Sequence, residues 1–213
     1  ADLLSRQCEP AQLISDQQQY SVWFKPAGML TQGNEWGDHL ALRRAVEQHF
    51  AAKRQVFLLH RLDREASGVV IVAHSKHAAA AFSKLIAGHK ISKQYVIRVM
   101  GQLSDSLLQQ GEISLPLDDK ACLTRFKLLQ FDTKTQQSWL EVDLISGRKH
   151  QIRRHFATVG HPVMGDPQYG QGNKDSTGLA LQAVKLSFSC PLRHKNQSFS
   201  VPPHLRLYGA NRE

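Results

Sequence analysis

The sequence is poor in cysteine. It has three cysteines in 213 residues, Cys8, Cys122 and Cys190, and they lie far apart. No two of them form a Cys-x-x-Cys pair. This spacing argues against a disulfide framework and against a zinc knuckle, and it fits a reducing compartment. We therefore expect a cytoplasmic protein.

Long apolar runs are also missing. No stretch approaches the roughly 18 apolar residues of a membrane-spanning helix. The first residues include Asp2, Arg6 and Glu9 and lack the apolar core of a signal peptide. We expect no membrane partner.

Acidic residues are few relative to basic ones. The chain has 18 Asp and Glu against 27 Lys and Arg, a formal net charge of +9 and a pI near 9.7. Such an excess favours a polyanionic partner, with nucleic acid ahead of a membrane surface. The alternative is a basic protein with no such partner, and composition alone does not separate the two.

Apolar residues make up 41% of the chain, enough for a sizeable core. Residues 1–18 are predicted to be a polar arm, and residues 19–213 a single domain, to which the candidate catalytic residues below belong. Apolar alternation and turn residues predict strands at 20–24, 56–59, 69–73, 95–100, 123–131, 138–145, 179–189 and 198–201. Helices are predicted from Asp38 to about 52, from Ser75 to 88 and from His150 to 160, with 102–120 loop-like around one short strand.

These elements predict an α+β fold, a single domain built around a mixed, largely antiparallel β-sheet with flanking helices. The two strands on either side of residues 132–134 predict a hairpin. The alternative is a parallel α/β sheet. It requires regular alternation of strand and helix, which fails between residues 102 and 145.

Residues 60–73 place one carboxylate, Asp63, between Arg61 and Arg64, just before a turn and an apolar strand. Ser67 and Gly68 are typical of turns. A loop that enters a buried strand can hold a reactive side chain rigidly. Taken alone, an Asp beside arginines is usually an ordinary turn or ion-pair residue.

The most basic segment is 147–155. If it enters a helix at about His150, then His150, Arg153 and Arg154 share one side of that helix. Arginines at a helix start suit a phosphate or a carboxylate. The alternative is a solvated basic face. The Gly- and Pro-rich segment 161–170 that follows argues against this alternative.

Four blocks of this chain resemble, in order, the motifs of the RluA-type pseudouridine synthases. Residues 60–68 resemble the family's HRLDxxTSG signature, and 24–30 its KPxG motif. Residues 93–101 are similar to its K-x-Y strand, and 147–170 to its GRxHQIRxH…GHPxxGDxxYG block. Two positions differ, because Ala66 replaces a usual Thr and Gln182 replaces a usual His. The second difference puts the polarity of a substrate-facing position in question.

The resemblance implies a pseudouridine synthase fold and an isomerase, without metal or cofactor, that converts uridine to pseudouridine in ribosomal or transfer RNA. We expect a monomer. By motif position it assigns catalytic roles to Asp63, Tyr95 and Arg153. It assigns substrate contacts to His60, Arg61, Arg148, His150 and Leu181.

Within that resemblance, Arg153 is the cation paired with Asp63, Tyr95 and Leu181 flank the uracil, and Arg61 reaches into the RNA. A carboxylate can act as a nucleophile or as a base. Attack on the base, attack on the sugar and removal of a sugar proton all stay open. The target base must leave its stack to be processed.

Three other functions are weaker. A metal hydrolase is disfavoured because His150 and His155 are five residues apart, unlike the i, i+4 pair of a helical zinc site. A retaining glycosidase needs a second carboxylate, for which Asp118 and Asp166 are unsupported candidates. The serious rival is a non-catalytic RNA-binding protein, against which stands the intact set of catalytic residues.

Overall fold

The computed structural model describes residues 9–31, 41–144 and 147–209. These residues form two compact units. The first takes its residues from Ala1–Lys90 and Ser187–Val201, and the second from Ile91–Leu186 and Pro202–Glu213.

The first unit is a small antiparallel sheet with two helices. Its elements are β1 (Gln12–Asp16), β2 (Tyr20–Lys25), α1 (Leu42–His49), β3 (Phe57–Leu58), β4 (Ser67–Ala73), α2 (Lys76–Ala87), the end of β9 (Leu181–Ser189) and β10 (Asn196–Ser200). Strand β2 lies between β1 and β4, and β3 also pairs with β4.

Strand β4 is at the centre of this unit. All residues from Gly68 to Ala73 are buried, as expected for an apolar run rich in β-branched residues. One core cluster contains Trp23, Leu42, Val46 and Val70. The predicted start of α2 is confirmed, because the Ser75 side chain accepts a hydrogen bond from the Ala78 N–H.

The segment predicted to be a polar arm contains a strand. Residues of β1 pair with β2, and Leu13 packs against the core cluster around Trp23. Polar residues flank Leu13 and Ile14 in this short edge strand, and the polar composition of the segment hid it. The predicted helix cap Asp38 lies outside the described residues.

The second unit contains a longer sheet. Its elements are β5 (Ser92–Met100), α3 (Asp105–Gln110), β6 (Glu112–Ile113), β7 (Thr124–Asp132), β8 (Gln137–Leu144), α4 (Gln151–Thr158), the first part of β9, and a 3₁₀ helix at Pro203–Leu205. The strand order is β9-β5-β8-β7-β6. The predicted hairpin is β7–β8, and the Asp132 side chain accepts the Lys134 N–H in its turn.

Helix α3 is an element that the sequence reading placed in a loop. Ser104 caps its start by accepting the Leu107 N–H, and Gly111 ends it in the left-handed conformation with φ 63°. Both signals are present in the sequence. The helix has only six residues and buries none of them, so it leaves no apolar stripe to detect.

The α+β fold class is confirmed, with few helices and a predominance of antiparallel strand pairs. Helix α4 packs on β7 through Phe126 and Phe156, whose ring centroids are 5.3 Å apart. Within the described ranges, no helix is both long enough and apolar enough to cross a bilayer.

Candidate active site

Asp63 lies in a short loop that ends in a tight turn at the start of β4. The Ala66 N–H donates to the Asp63 carbonyl at 3.0 Å, and β4 begins at the next residue. Arg61 is exposed and Asp63 is half-buried. The loop therefore places Asp63 just before β4, which is buried from Gly68 onward, as the sequence predicted.

A buried lysine ammonium supports this loop by donating hydrogen bonds to backbone carbonyl oxygens. Lys25 has no exposed surface, and its Nζ donates to the carbonyl oxygens of Met29 and Ala66 at 2.7 Å. It also donates to Pro26 at 3.0 Å and, more weakly, to Arg64 at 3.4 Å. This contact set gives the lysine of the 24–30 block a structural role, because it ties that turn to the Asp63 loop.

Two further contacts fix the loop ahead of Asp63. The Ile71 N–H donates to His60 Nε2 at 3.0 Å, so this ring nitrogen acts as an acceptor. The Thr31 hydroxyl donates to the Leu62 carbonyl at 3.1 Å and accepts the Leu62 N–H at 3.2 Å. His60, predicted to contact substrate, thus has one ring nitrogen engaged within the protein.

In the second unit, Tyr95 lies on β5 opposite Val142 and is half-buried. Arg153 lies on α4 and is only 2% exposed. It donates two hydrogen bonds to Asp166, at 2.8 Å and 2.7 Å. The bidentate geometry is the strong form of this interaction.

Burial alone would raise the pKa of the Asp166 carboxyl, but it lies below its usual range because other contacts outweigh burial. Arg153 donates to it, and so do the backbone N–H groups of Gln168 and Tyr169, at 2.9 Å and 3.2 Å. Asp166, one of the two carboxylates weighed for glycosidase chemistry, is therefore an ionised partner of Arg153.

Tyr169 is a residue of this site that the sequence reading did not single out. Its hydroxyl lies 2.9 Å from His150 Nδ1, and the Arg153 guanidinium carbon lies 5.3 Å from the centre of its ring. The sequence signal was its place in the Gly- and Pro-rich segment 161–170. That segment is closely packed, since a Cβ at Gly165 would lie 1.9 Å from the Gly178 carbonyl oxygen.

The prediction that His150, Arg153 and Arg154 share one side of a helix needs correction. His150 precedes α4 in a left-handed conformation, with φ 53°. Arg153 is buried, whereas Arg154 pairs with the exposed Asp118 at 2.9 Å. Successive residues of a helix point about 100° apart, so neighbouring arginines face different surroundings.

The remaining predicted contacts are Arg148 and Leu181. The Arg148 Nε is buried and has no hydrogen-bond partner among the described residues. Leu181 is 5% exposed on β9. Its neighbour Gln182 donates to the Leu205 carbonyl at 3.0 Å and accepts the Leu207 N–H at 2.9 Å. The Gln in place of His therefore holds the segment that follows the 3₁₀ helix.

The chain is an α+β protein with a basic composition and a carboxylate loop that is hydrogen-bonded to its first unit, and comparison with known proteins defines its family. The family model described as RNA pseudouridylate synthase matches residues 19–158. The chain belongs to this family, and its relatives place it in the RluA-type group.

Two relatives match most of the chain. The tRNA pseudouridine synthase C of Vibrio parahaemolyticus is 32% identical over 80% of this chain and 81% of its own. The dual-specificity RNA pseudouridine synthase RluA of Pasteurella multocida is 30% identical over 84% and 87%. The chain spans only 66%, 60% and 62% of three further relatives, from Mycoplasma pneumoniae, Bacillus subtilis and Mycoplasma genitalium.

A solved structure shares the fold. Human RNA pseudouridylate synthase domain containing 1 aligns with a TM-score of 0.75 over 93% of this chain and 85% of its own. Sequence identity is 19%, so this likeness concerns the fold alone.

Proposed function

We propose that this protein isomerises uridine to pseudouridine in ribosomal or transfer RNA. Two observations support the proposal: membership of the RNA pseudouridylate synthase family and relatives named for transfer-RNA and dual RNA specificity. The net charge of +9 fits a polyanionic substrate. The observation that carries the proposal is the anchored loop around Asp63.

The reaction breaks the bond between uracil N1 and ribose C1′ and forms a bond between C5 and C1′. N1 gains a proton and C5 loses one, so the atoms balance without an oxidant or reductant. Asp63 is proposed as the group that reacts, as a nucleophile or as a base. Such a role requires a carboxylate whose backbone does not shift between substrates.

The contacts around Asp63 meet that requirement. Residues on both sides of it are bonded to the body of the first unit: His60 to Ile71, Leu62 to Thr31, and Ala66 to Lys25. The exposed Arg61 stands beside it in the chain, where it can enter the RNA when the target base leaves its stack. Tyr95 and Arg153 are proposed as the other two catalytic residues, and Leu181 as a wall against the base.

The experiment uses RNA labelled with tritium at uridine C5, prepared from a strain that lacks this gene. Wild type should release tritium to water, because C5 loses its hydrogen when it bonds to C1′. Asp63→Ala and Asp63→Asn should reduce release by at least about 10³-fold, the scale expected when a reacting group is removed. Glu65→Gln, a charge change in the same loop, is the matched control and should retain activity.

Three results bear on the proposal. No release by wild type would refute isomerase activity, and RNA binding without release would favour the non-catalytic alternative. Equal release by wild type and Asp63→Ala would remove Asp63 from the reaction. Sequencing for pseudouridine in RNA from the same strain, with and without the gene, would identify the modified uridine.

A further inference from the structure

Lys93 is a partly buried cation on the same strand as Tyr95. The two are two residues apart on β5, so their side chains lie on one face of the sheet. That face is the core face, since Lys93 is opposite Leu144 and Tyr95 opposite Val142, both buried. Burial lowers the pKa of the Lys93 ammonium. Among the described residues, none makes a hydrogen bond or ion pair with that ammonium.

Arg148 is a second cation for which the described residues supply no counter-ion. The Lys93 Nζ is 3.8 Å from where a Cβ would stand on Gly147, and Arg148 follows Gly147 in the chain. Its backbone N–H donates to Gln151 Oε1, but its Nε is buried without a partner in the described part of the protein. No described carboxylate pairs with either side chain.

Several acidic side chains of this unit form ion pairs with basic residues other than Lys93 and Arg148. Asp166 binds Arg153, Asp175 binds Arg98 at 2.6 Å, and Glu141 binds Lys127 at 2.8 Å. A buried polar or charged group without a partner costs free energy. An anion from outside the chain would offset that cost.

We propose that Lys93 and Arg148 form an anion site that takes a phosphate group of the substrate RNA. The proposal rests on the proposed function for the identity of the ligand. An arginine fork can contact two phosphate oxygens, and a lysine adds a compact charge. At about 3.3 Å per residue along a strand, the Cα atoms of Lys93 and Tyr95 lie about 7 Å apart. A phosphate held there would position the nucleotide whose base lies against Tyr95.

The first test measures thermal unfolding without RNA. In chloride buffer, Lys93→Met and Arg148→Met should raise Tm by about 2 °C, because each removes an unpaired, desolvated cation. Exchanging chloride for inorganic phosphate at constant ionic strength should raise the wild-type Tm by about 3 °C and leave the double variant unchanged. Lys185→Met, at an exposed position of β9, is the control and should respond to phosphate as wild type does.

The second test measures binding of the same cellular RNA as a function of salt. One phosphate contact contributes about 0.7 to the slope of log K against log salt for single-stranded RNA. If both cations hold the same phosphate, the slope of the double variant falls by about 0.7 in total. Two separate phosphate contacts would lower it by about twice that amount. The double variant should then bind RNA no more than about threefold more weakly than the weaker single variant.

The outcomes separate this site from the proposed function. Variants that lower Tm, or a phosphate response that survives in the double variant, would overturn the anion site even if wild type releases tritium. If wild type releases no tritium, while the double variant loses the phosphate response and about 0.7 of the salt slope, the anion site is retained and the isomerase is refuted. Additive slopes would overturn the single shared phosphate.

Discussion

Two regions of this protein handle buried positive charge in opposite ways. In the first unit, Lys25 is completely buried, and carbonyl oxygens of Pro26, Met29, Arg64 and Ala66 surround its ammonium. In the second unit, Lys93 and Arg148 are partly buried with no acceptor for their charges among the described side chains.

The difference separates a structural cation from one that is available to a ligand. A cation whose hydrogen bonds are all made by the protein stabilises a local conformation, here the loop that carries Asp63. A cation left without acceptors destabilises the free protein and gains free energy when an anion binds. Substitution by methionine, which keeps side-chain length without charge, should therefore have opposite effects on stability in the two regions.

The largest effect is expected where a paired arginine is compared with an unpaired one. Arg153→Met should lower the free energy of unfolding by about 3–5 kcal/mol, because it leaves the carboxylate of Asp166 buried without its cation. Arg148→Met should not lower it at all. Urea unfolding measures both, with Arg154→Met, which removes an exposed pair, as the control for losing one arginine from this segment. Equal losses in Arg153→Met and Arg148→Met would contradict the distinction.

The next effect compares the two lysines. Lys25→Met should lower the free energy of unfolding by about 2–4 kcal/mol, since it removes a charged donor and leaves buried carbonyl oxygens without a partner. It should also reduce tritium release, because the turn at Ala66 loses its support. Lys93→Met is the matched variant, with the same substitution and the opposite sign expected for stability. A Lys25→Met protein as stable as wild type would show that its carbonyl contacts contribute nothing.

Sequence reasoning predicted the parts of this protein that local patterns specify. The buried strand β4, the Ser75 cap and the β7–β8 hairpin each follow from residues within a few positions of one another. The candidate catalytic residues came from motif order and not from chemistry that the pattern itself displays. Their roles remain predictions until activity is measured.

What sequence reasoning missed depends on contacts between distant segments. Lys25 binds a carbonyl 41 residues away, and Gln182 binds one 23 residues away. Backbone carbonyls carry no residue identity, so no pattern in the sequence marks the partner. Neighbouring arginines such as Arg153 and Arg154 differ in burial only once α4 has packed on β7.

A smaller effect is expected at Gln182, whose side-chain amide both donates and accepts a hydrogen bond. Gln182→Ala should lower the free energy of unfolding by about 1–2 kcal/mol, since it leaves the Leu205 carbonyl and the Leu207 N–H without their partner. The loss should be local, so hydrogen exchange at the Leu207 amide should accelerate more than exchange within β5. Lys185→Ala on the same strand is the control and should change neither. Unchanged hydrogen exchange at the Leu207 amide would contradict a stabilising role for the Gln182 hydrogen bonds.

The smallest effect concerns two buried histidines whose partners suit the neutral ring. His74 lies 2.7 Å from the Ser21 hydroxyl and 2.8 Å from the Gln55 carbonyl, and His155 lies 2.7 Å from Thr124 Oγ1 and 2.8 Å from the Leu115 carbonyl. Burial lowers the pKa of both, although each carbonyl contact acts in the opposite direction.

Because the folded pKa lies below the unfolded one, this stability is complete above about pH 6.5 and declines as the pH falls further. Carboxylates such as Asp166, whose pKa is also lowered in the folded state, lose their contribution only below about pH 4, so the two effects are separable. Urea unfolding at pH 8, 7, 6 and 5 should show the decline, reduced in His74→Asn and in His155→Gln but not in the exposed His77→Gln. A free energy of unfolding that stays constant from pH 8 to pH 5 would show that both rings accept a proton in place, and that their hydrogen-bond partners do not discriminate between the charged and neutral forms.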